Sequence, residues 1–378
     1  MKAVAVFPAS REVRLIDQEE PRIRRPDQAR VRILDVGVCG TDKEICTFAY
    51  GTPPTGADHL VIGHEALGEV LEVGDEVRGL RAGDLVVPTV RRPCSSPGCR
   101  PCRAGHQDFC ESGGFTERGI RGAHGYLTEM VVEEARYLSR VPSQLREVGV
   151  LVEPLTIAEK AAHQLLGLMQ RWPPWVDPAA GEQGLGRGLQ ALVVGAGPVG
   201  LLGAMVLRQT EFGTFIYSRE EEPDPRVHVA QAMGAAYISS RAVPTDRLAA
   251  RMGPIDLVYE AAGHSRLAME VLRALGPNGV YVLTGVPSVE TLVEADPAAI
   301  LRDIVLKNQV VLGTVNAGSD AFASAVADLE GFDHRWPSAV RPLVGQRTPM
   351  EDAVPRILDR PAGIKTVIAV ADGRPRGA

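Results

Sequence analysis

Cys39, His64, Glu65 and Glu153 are the side chains of this 378-residue sequence best suited to hold a metal ion while leaving a coordination position open. His64 and Glu65 stand side by side in the apolar stretch VIGHEALGEV, residues 61–70. Burying an imidazole next to a carboxylate is costly unless something pairs with both. Upstream, GVCGTD supplies the Cys39 thiol and the Thr41 hydroxyl; downstream, LVEPLTIAEK carries Glu153 in an apolar setting. Thiolate, imidazole and carboxylate together suit Zn2+, and three protein ligands with one open position make a catalytic type of site. The candidates are Cys39, His64 and either Glu65 or Glu153. Adjacent residues of a strand point to opposite faces, so His64 and Glu65 are not expected to share one metal unless the backbone bends. His64 is therefore expected to ligate, Glu153 to be the third fixed ligand, and Glu65 to lie close by or to exchange with water. A core histidine hydrogen-bonded to a buried acid is the plain alternative.

A second donor set lies in CSSPGCRPCRAGHQDFC, where Cys94, Cys99, Cys102 and Cys110 are spaced C-x4-C-x2-C-x7-C. Four thiolates at short spacing in a loop rich in Pro and Gly suggest a closed, structural zinc site. Four free thiols are the alternative. Cys46 has no partner in sequence and is expected to be a small core or surface residue.

The third chemical feature is Gly195-Ala196-Gly197-Pro198-Val199-Gly200, which fits G-x-G-x-x-G directly after the apolar run ALVV and before the helix-like GLLGAMVLRQ. That context is what a dinucleotide-binding turn requires. Gly195 allows the tight turn, Gly197 the approach of a pyrophosphate, and Gly200 close packing of helix on strand. The nearby GLGRG at 184–188 lacks a preceding strand. The next strand-like run, TFIYSRE, ends in Ser218 and Arg219, where an NAD-specific protein usually places an acid for the ribose 2′-hydroxyl. Arg219 would pair with a 2′-phosphate and Glu220 would repel one, so NADP is favoured with NAD possible.

These residues need elements to hold them. Residues 1–140 are expected to be mainly β, with short apolar runs punctuated by Gly, Pro and Asp. TIAEKAAHQLLGLMQR has helical spacing, and WPPWVDPAAGEQGLGRG is expected to be a loop. From 190 to about 312, strand-like and helical runs alternate, the sign of a parallel sheet. After that, SDAFASAVADLEGF is expected to be helical and GIKTVIAV to be a strand. The expected division is a first domain part over 1–156, a nucleotide-binding domain over 157–312 and a return segment over 313–378. The net charge of −6 comes without a basic stripe, which argues against nucleic acid as a partner. No apolar run reaches the length of a membrane span and no signal-peptide core opens the chain, so a cytoplasmic location is expected.

GVCGTD, GHEALGEV, the cysteine loop and VVGAGPVG, in this order, resemble the zinc-dependent medium-chain dehydrogenases over nearly the whole chain. GTDKEI, VVPTVRRP, RAGHQDFC, ERGIRGAHGYLTEM, LVEPLTIAEKA and SREEEPDP resemble the archaeal-type glucose dehydrogenases more closely. The resemblance implies an α/β protein. A GroES-like, mainly-β catalytic domain would be built from both chain ends, with a Rossmann doubly wound parallel-sheet domain between them. It implies oxidation of an aldose at C1 to the lactone, with NAD(P)+ as hydride acceptor and zinc as catalytic metal, in a homodimer or homotetramer. By it, Cys39, His64 and Glu153 match the zinc ligands, Glu65 the mobile acid, and Thr41 the proton-relaying hydroxyl. Glu117 and Asn316 match residues that hydrogen-bond sugar hydroxyls; Ser218 and Arg219 match the ribose-reading positions. The sequence departs from some relatives at Glu220, where they have a second arginine, and at Val90, where they have an asparagine for the sugar. It departs also in the four-residue gap after Cys94. A zinc-dependent alcohol or polyol dehydrogenase with the same machinery is the competing expectation, with polar groups at Glu117 and Asn316 telling against it.

Overall fold

The computed structural model describes residues 1–169, 175, 185–287, 292–359 and 363–371. Most of the loop expected over 172–188 lies outside them. The chain divides into two compact units, one of residues 1–156, 316–331 and 344–378, the other of 157–315 and 332–343.

In the first unit, β1 (Lys2–Phe7) pairs antiparallel with β2 (Glu12–Asp17) and with the short β4 (Leu60–Val61), which follows β3 (Gln28–Gly37) in the chain. The larger sheet is centred on β3 against β5 (Glu65–Val73), with β6 (Leu85–Pro88) beyond β5. A small three-stranded sheet joins β7 (Arg91–Arg92), β8 (Thr116–Arg118) and β9 (Gly122–Ala123). β10 (Met130–Glu134) adds to β3, and β11 (Leu138–Val141) to β6. Helices are short here: α1 (Gly40–Cys46) directly follows Cys39, and α2 (Arg100–Arg103) sits inside the cysteine loop. Val31, Ile33, Val36, Ala66, Val70 and Val86 from β3, β5 and β6 form the centre of one buried core. Burial removes their apolar surface from water at about 25 cal/mol per Å2. α3 (Val152–Met169) starts earlier than its helical spacing suggested, so Glu153 lies in a first helical turn.

In the second unit six strands are all parallel: β12 (Gln190–Val194), β13 (Gly213–Ser218), β14 (Ala236–Ser239), β15 (Leu257–Glu260), β16 (Val280–Leu283) and β17 (Val310–Gly313). Their spatial order is β14-β13-β12-β15-β16-β17, the doubly wound order that reverses beside its first strand. β12 is buried on both faces, as a central parallel strand must be, which is why ALVV shows no alternation. The crossovers are helical: α4 (Pro198–Gln209), α5 (Pro225–Ala232), α6 (Leu248–Met252), α7 (Ser265–Leu272) and α8 (Pro297–Leu306).

The chain then forms α9 (Ser319–Arg335) and α10 (Pro337–Val340), and returns to the first unit's sheet with β18 (Val344–Pro349), α11 (Ala353–Leu358) and β19 (Lys365–Ala369). β19 pairs with β3, with Val367 opposite Gly37, so this late strand joins a sheet begun near residue 28. No helix among the described residues is long and apolar enough to cross a membrane.

Candidate active site and metal centres

One compact donor cluster joins Cys39, His64 and Glu65, each offering a ligand atom within 4.8 Å of the others. Cys39 caps α1: its backbone N–H donates to Asp42 Oδ2 at 2.8 Å, and its Sγ lies 3.9 Å from Thr41 Oγ1. His64 comes just before β5 and just after Gly63, whose φ of +88° is open to glycine at little cost. Side chains on Gly119 and Gly125 would run into the Gly63 backbone, so the turn carrying His64 is clamped by close backbone packing. The backbone bends here, which is the condition under which His64 and Glu65 were expected to share a side. Only Glu65 belongs to the strand, and the turn before it swings His64 to the same side.

Glu153 does not join that 4.8 Å cluster. It is buried, and burial first, then the nearby Glu65 charge, push its pKa up to about 8. Two further groups complete the surroundings. Asp42 Oδ1 lies 3.3 Å from His64 Nδ1, and both are almost fully buried. Burial opposes the charged form of each, but their mutual attraction outweighs it, lowering the Asp42 pKa and raising that of His64 well above its usual value. Lys365, from β19, forms a buried ion pair with Glu65. Burial opposes its charge, and Glu65 and Cys39 outweigh that and raise its pKa. Gly37 makes room for this pair, since a Cβ there would meet the Glu65 carboxylate and the Lys365 stem. A thiol and three carboxyls thus face one lysine and one imidazole. A divalent cation fits these mixed S, N and O donors.

The second cluster is Cys94, Cys99, Cys102 and Cys110, again with ligand atoms within 4.8 Å of one another. Cys94 sits with the rest despite its longer spacing. Burial and the neighbouring thiols push Cys102 up to about 12. At Cys110 burial opposes ionisation, but hydrogen bonding with Ser112, Cys102 and Cys94 brings it down to about 6. Thiols this close cannot all ionise unaided, because each charge disfavours the next. A bound cation would resolve that, and a four-thiolate set is the donor chemistry of a closed zinc site. Cys46 is buried in the core.

Glu117 and Asn316 come together from positions 199 residues apart, with Asn316 Nδ2 donating to Glu117 Oε1 at 2.7 Å. Asn316 adopts a φ of +60°, a left-handed conformation asparagine tolerates, and its Oδ1 accepts from the Ala317 N–H. Arg91, Asp42 and Lys365 had no role on sequence grounds. A lysine inside the apolar GIKTVIAV was the available signal, because a buried charge needs a partner.

In the second unit, Gly195 has a φ of +99° and its N–H donates to the Tyr217 carbonyl at 2.9 Å, so the turn touches the end of β13. A Cβ on Gly200 would strike the Gly195 carbonyl, whereas one on Gly197, the residue capping α4, would project into open space. Pro198 and Val199 open the helix. The turn therefore fits a pyrophosphate approaching Gly197 and the α4 N-terminus. At the end of β13, Ser218 Oγ donates to Glu220 Oε2 at 2.5 Å and the Tyr237 hydroxyl donates at 3.5 Å. Arg219, largely exposed, pairs with Glu220 Oε1 at 3.3 Å. Glu220 thus turns back towards Ser218.

These features define a zinc-type medium-chain dehydrogenase: residues 25–143 match the alcohol dehydrogenase GroES-like domain. Residues 146–370 match the glucose dehydrogenase C-terminus. The chain belongs to the glucose dehydrogenase family. It is 35% identical over 374 residues to a glucose 1-dehydrogenase of Methanocella arvoryzae, covering 98% of this chain and 99% of that one. It is 40% identical to a glucose 1-dehydrogenase of Thermoproteus tenax over 91% of this chain and 94% of that one. Among solved structures, Haloferax mediterranei glucose dehydrogenase in complex with NADP, Zn and gluconolactone superposes with a TM-score of 0.84 at 33% identity, over 98% of this chain and 100% of that one.

Proposed function

We propose that this chain oxidises an aldose, D-glucose first among them, at C1 to the lactone, using NADP+ or NAD+. The observation that carries the proposal is the convergence of Glu117 and Asn316 in the unit that holds the Cys39–His64–Glu65 cluster. A site for a simple alcohol has no use for a buried carboxylate–amide pair. Cys39, His64 and Glu65, with Glu153 beside them, hold the catalytic zinc, and Cys94, Cys99, Cys102 and Cys110 hold a structural one. When bound, zinc supplies Lewis acidity at the C1 hydroxyl and the nicotinamide accepts the hydride. Thr41, beside Cys39, relays the hydroxyl proton outward, passing on its own proton towards water as it accepts the substrate's. Glu117 and Asn316 orient the sugar. Gly195, Gly197, Pro198, Val199 and Gly200 receive the pyrophosphate, and Ser218 and Arg219 face the adenosine ribose.

The expected division is a catalytic domain of 1–156 and 313–378 and a nucleotide domain of 157–312; the compact units differ from it in placing 313–315 and 332–343 with the second. A cytoplasmic homo-oligomer is the form proposed. Exposed Leu301, Val305 and Leu306 on α8 and Val311 on the sheet-edge strand β17 support self-association, which light scattering of the purified protein tests.

The experiment is initial rates with glucose, galactose, xylose and ethanol, each with NADP+ and NAD+, before and after chelation. Sugar turnover that chelation removes and zinc restores is the expected result. Turnover of ethanol alone would overturn the aldose assignment and leave an alcohol dehydrogenase.

A further inference from the structure

Glu117 does not hold itself in place. Its register partner across the β7–β8 ladder is Arg91, 7% exposed against 6% for Glu117. Arg91 Nε and Nη2 donate to Glu117 Oε1 at 3.1 and 3.0 Å. Nη1 donates to the Asp108 carbonyl at 3.0 Å, and Asp108 sits in the turn Gln107–Phe109, between Cys102 and Cys110. The face of the guanidinium lies 3.8 Å from the centre of the Phe115 ring. Arg91 is therefore fixed on three sides: by a carboxylate, by an aromatic face and by the backbone of the four-cysteine loop.

The pattern on Glu117 is one-sided. Both Arg91 contacts and the Asn316 contact end on Oε1. No protein group among the described residues hydrogen-bonds Oε2. One oxygen is saturated by three donors, and the other has its direction set by them. A planar guanidinium fork fixes a carboxylate in a way that a lysine point charge does not.

We propose that Arg91 is a positioning residue that turns Glu117 into a one-oxygen acceptor of fixed direction for a sugar hydroxyl, and so sets the selectivity for polyhydroxylated substrate. This rests on the aldose assignment above. A rigid buried acceptor rejects a substrate lacking the matching hydroxyl, because the acceptor is then left unpaired. A loose one swings towards water and loses that discrimination.

The test compares the holoenzyme with its R91Q and R91K variants on D-glucose, the 2-, 3-, 4- and 6-deoxyglucoses and ethanol. Reduced-cofactor affinity is followed separately by fluorescence titration. In the parent enzyme one deoxyglucose is expected to fall at least about 100-fold below glucose in kcat/KM. In R91Q the KM for glucose rises about tenfold with kcat little changed, and the glucose-to-deoxyglucose ratio collapses towards unity. R91K, which keeps the charge without the fork, gives an intermediate ratio. Cofactor affinity and any ethanol rate stay unchanged. An unaltered ratio in an active R91K or R91Q overturns the proposal, as does a uniform loss across sugars, ethanol and cofactor binding. A parent enzyme that turns over no sugar overturns the aldose assignment itself, and is recognised before any variant is made.

Discussion

The two donor clusters of the first unit are built in opposite ways. The four cysteines come from a single short loop whose regular structure amounts to one turn of helix and one tighter turn. Cys39, His64 and Glu65 come from a helix cap, a glycine turn and a strand start, and their surroundings include α3 and β19. The loop carries like donors and depends on an ion to reconcile their charges. The mixed cluster has its positions imposed by the sheet, with Asp42 and Lys365 countering charge on either side. A locally encoded site is shaped by what it binds, whereas a site assembled by the fold is shaped before anything binds, as transition-state chemistry requires.

That contrast can be broken most forcefully at its buried side. H64A or C39S is expected to lower kcat/KM by at least about 1000-fold, since Lewis-acid assistance is worth several kcal/mol. Bound zinc should drop by one ion per chain in elemental analysis, with circular dichroism unchanged. Two ions retained would mean the clusters had been told apart wrongly. K365M removes the counter-charge of a buried carboxylate and is expected to cost about 3–5 kcal/mol in urea unfolding of the chelated protein. C110S, in the loop, should also lose one zinc and lower Tm, while kcat/KM falls by no more than about tenfold, because the loop reaches the sugar site only through the Asp108 carbonyl that helps hold Arg91. The smallest effect is chemical. Burial pushes the Cys46 thiol up to about 12, so it stays protonated and inert at neutral pH. Iodoacetamide at pH 8, followed by peptide mass mapping of the chelated native protein, should leave Cys46 unlabelled while Cys110, brought down to about 6, reacts.

How far the sequence disclosed all this follows the same local-to-distant gradient. The cysteine loop, the glycine turn and the alternation behind the doubly wound sheet are patterns within a few dozen residues, and they were legible. Cys39, His64 and Glu65 were legible as donors. Their geometry was not, because the strand-pleat rule fails when a positive-φ glycine ends the turn just before the strand. Glu153 was placed as a third ligand from its apolar setting, yet it stands in a helix turn outside the tight cluster. Arg91 and Lys365 escaped notice because their meaning lies in partners that only the folded sheets supply.

Lys365 also gives the site a history. Glu65 is made early and its counter-charge about 300 residues later, on the last described strand. At about 5–20 residues per second, synthesis leaves a gap on the order of 15–60 s in which the thiol, the imidazole and the carboxylate exist without that lysine. During that interval the donors have no finished sheet edge to settle against. The four-cysteine loop, complete within its own stretch of chain, meets no such delay. Maturation of the buried centre is thereby tied to arrival of β19, and a chain cut short before it would carry both donor sets but only one finished site.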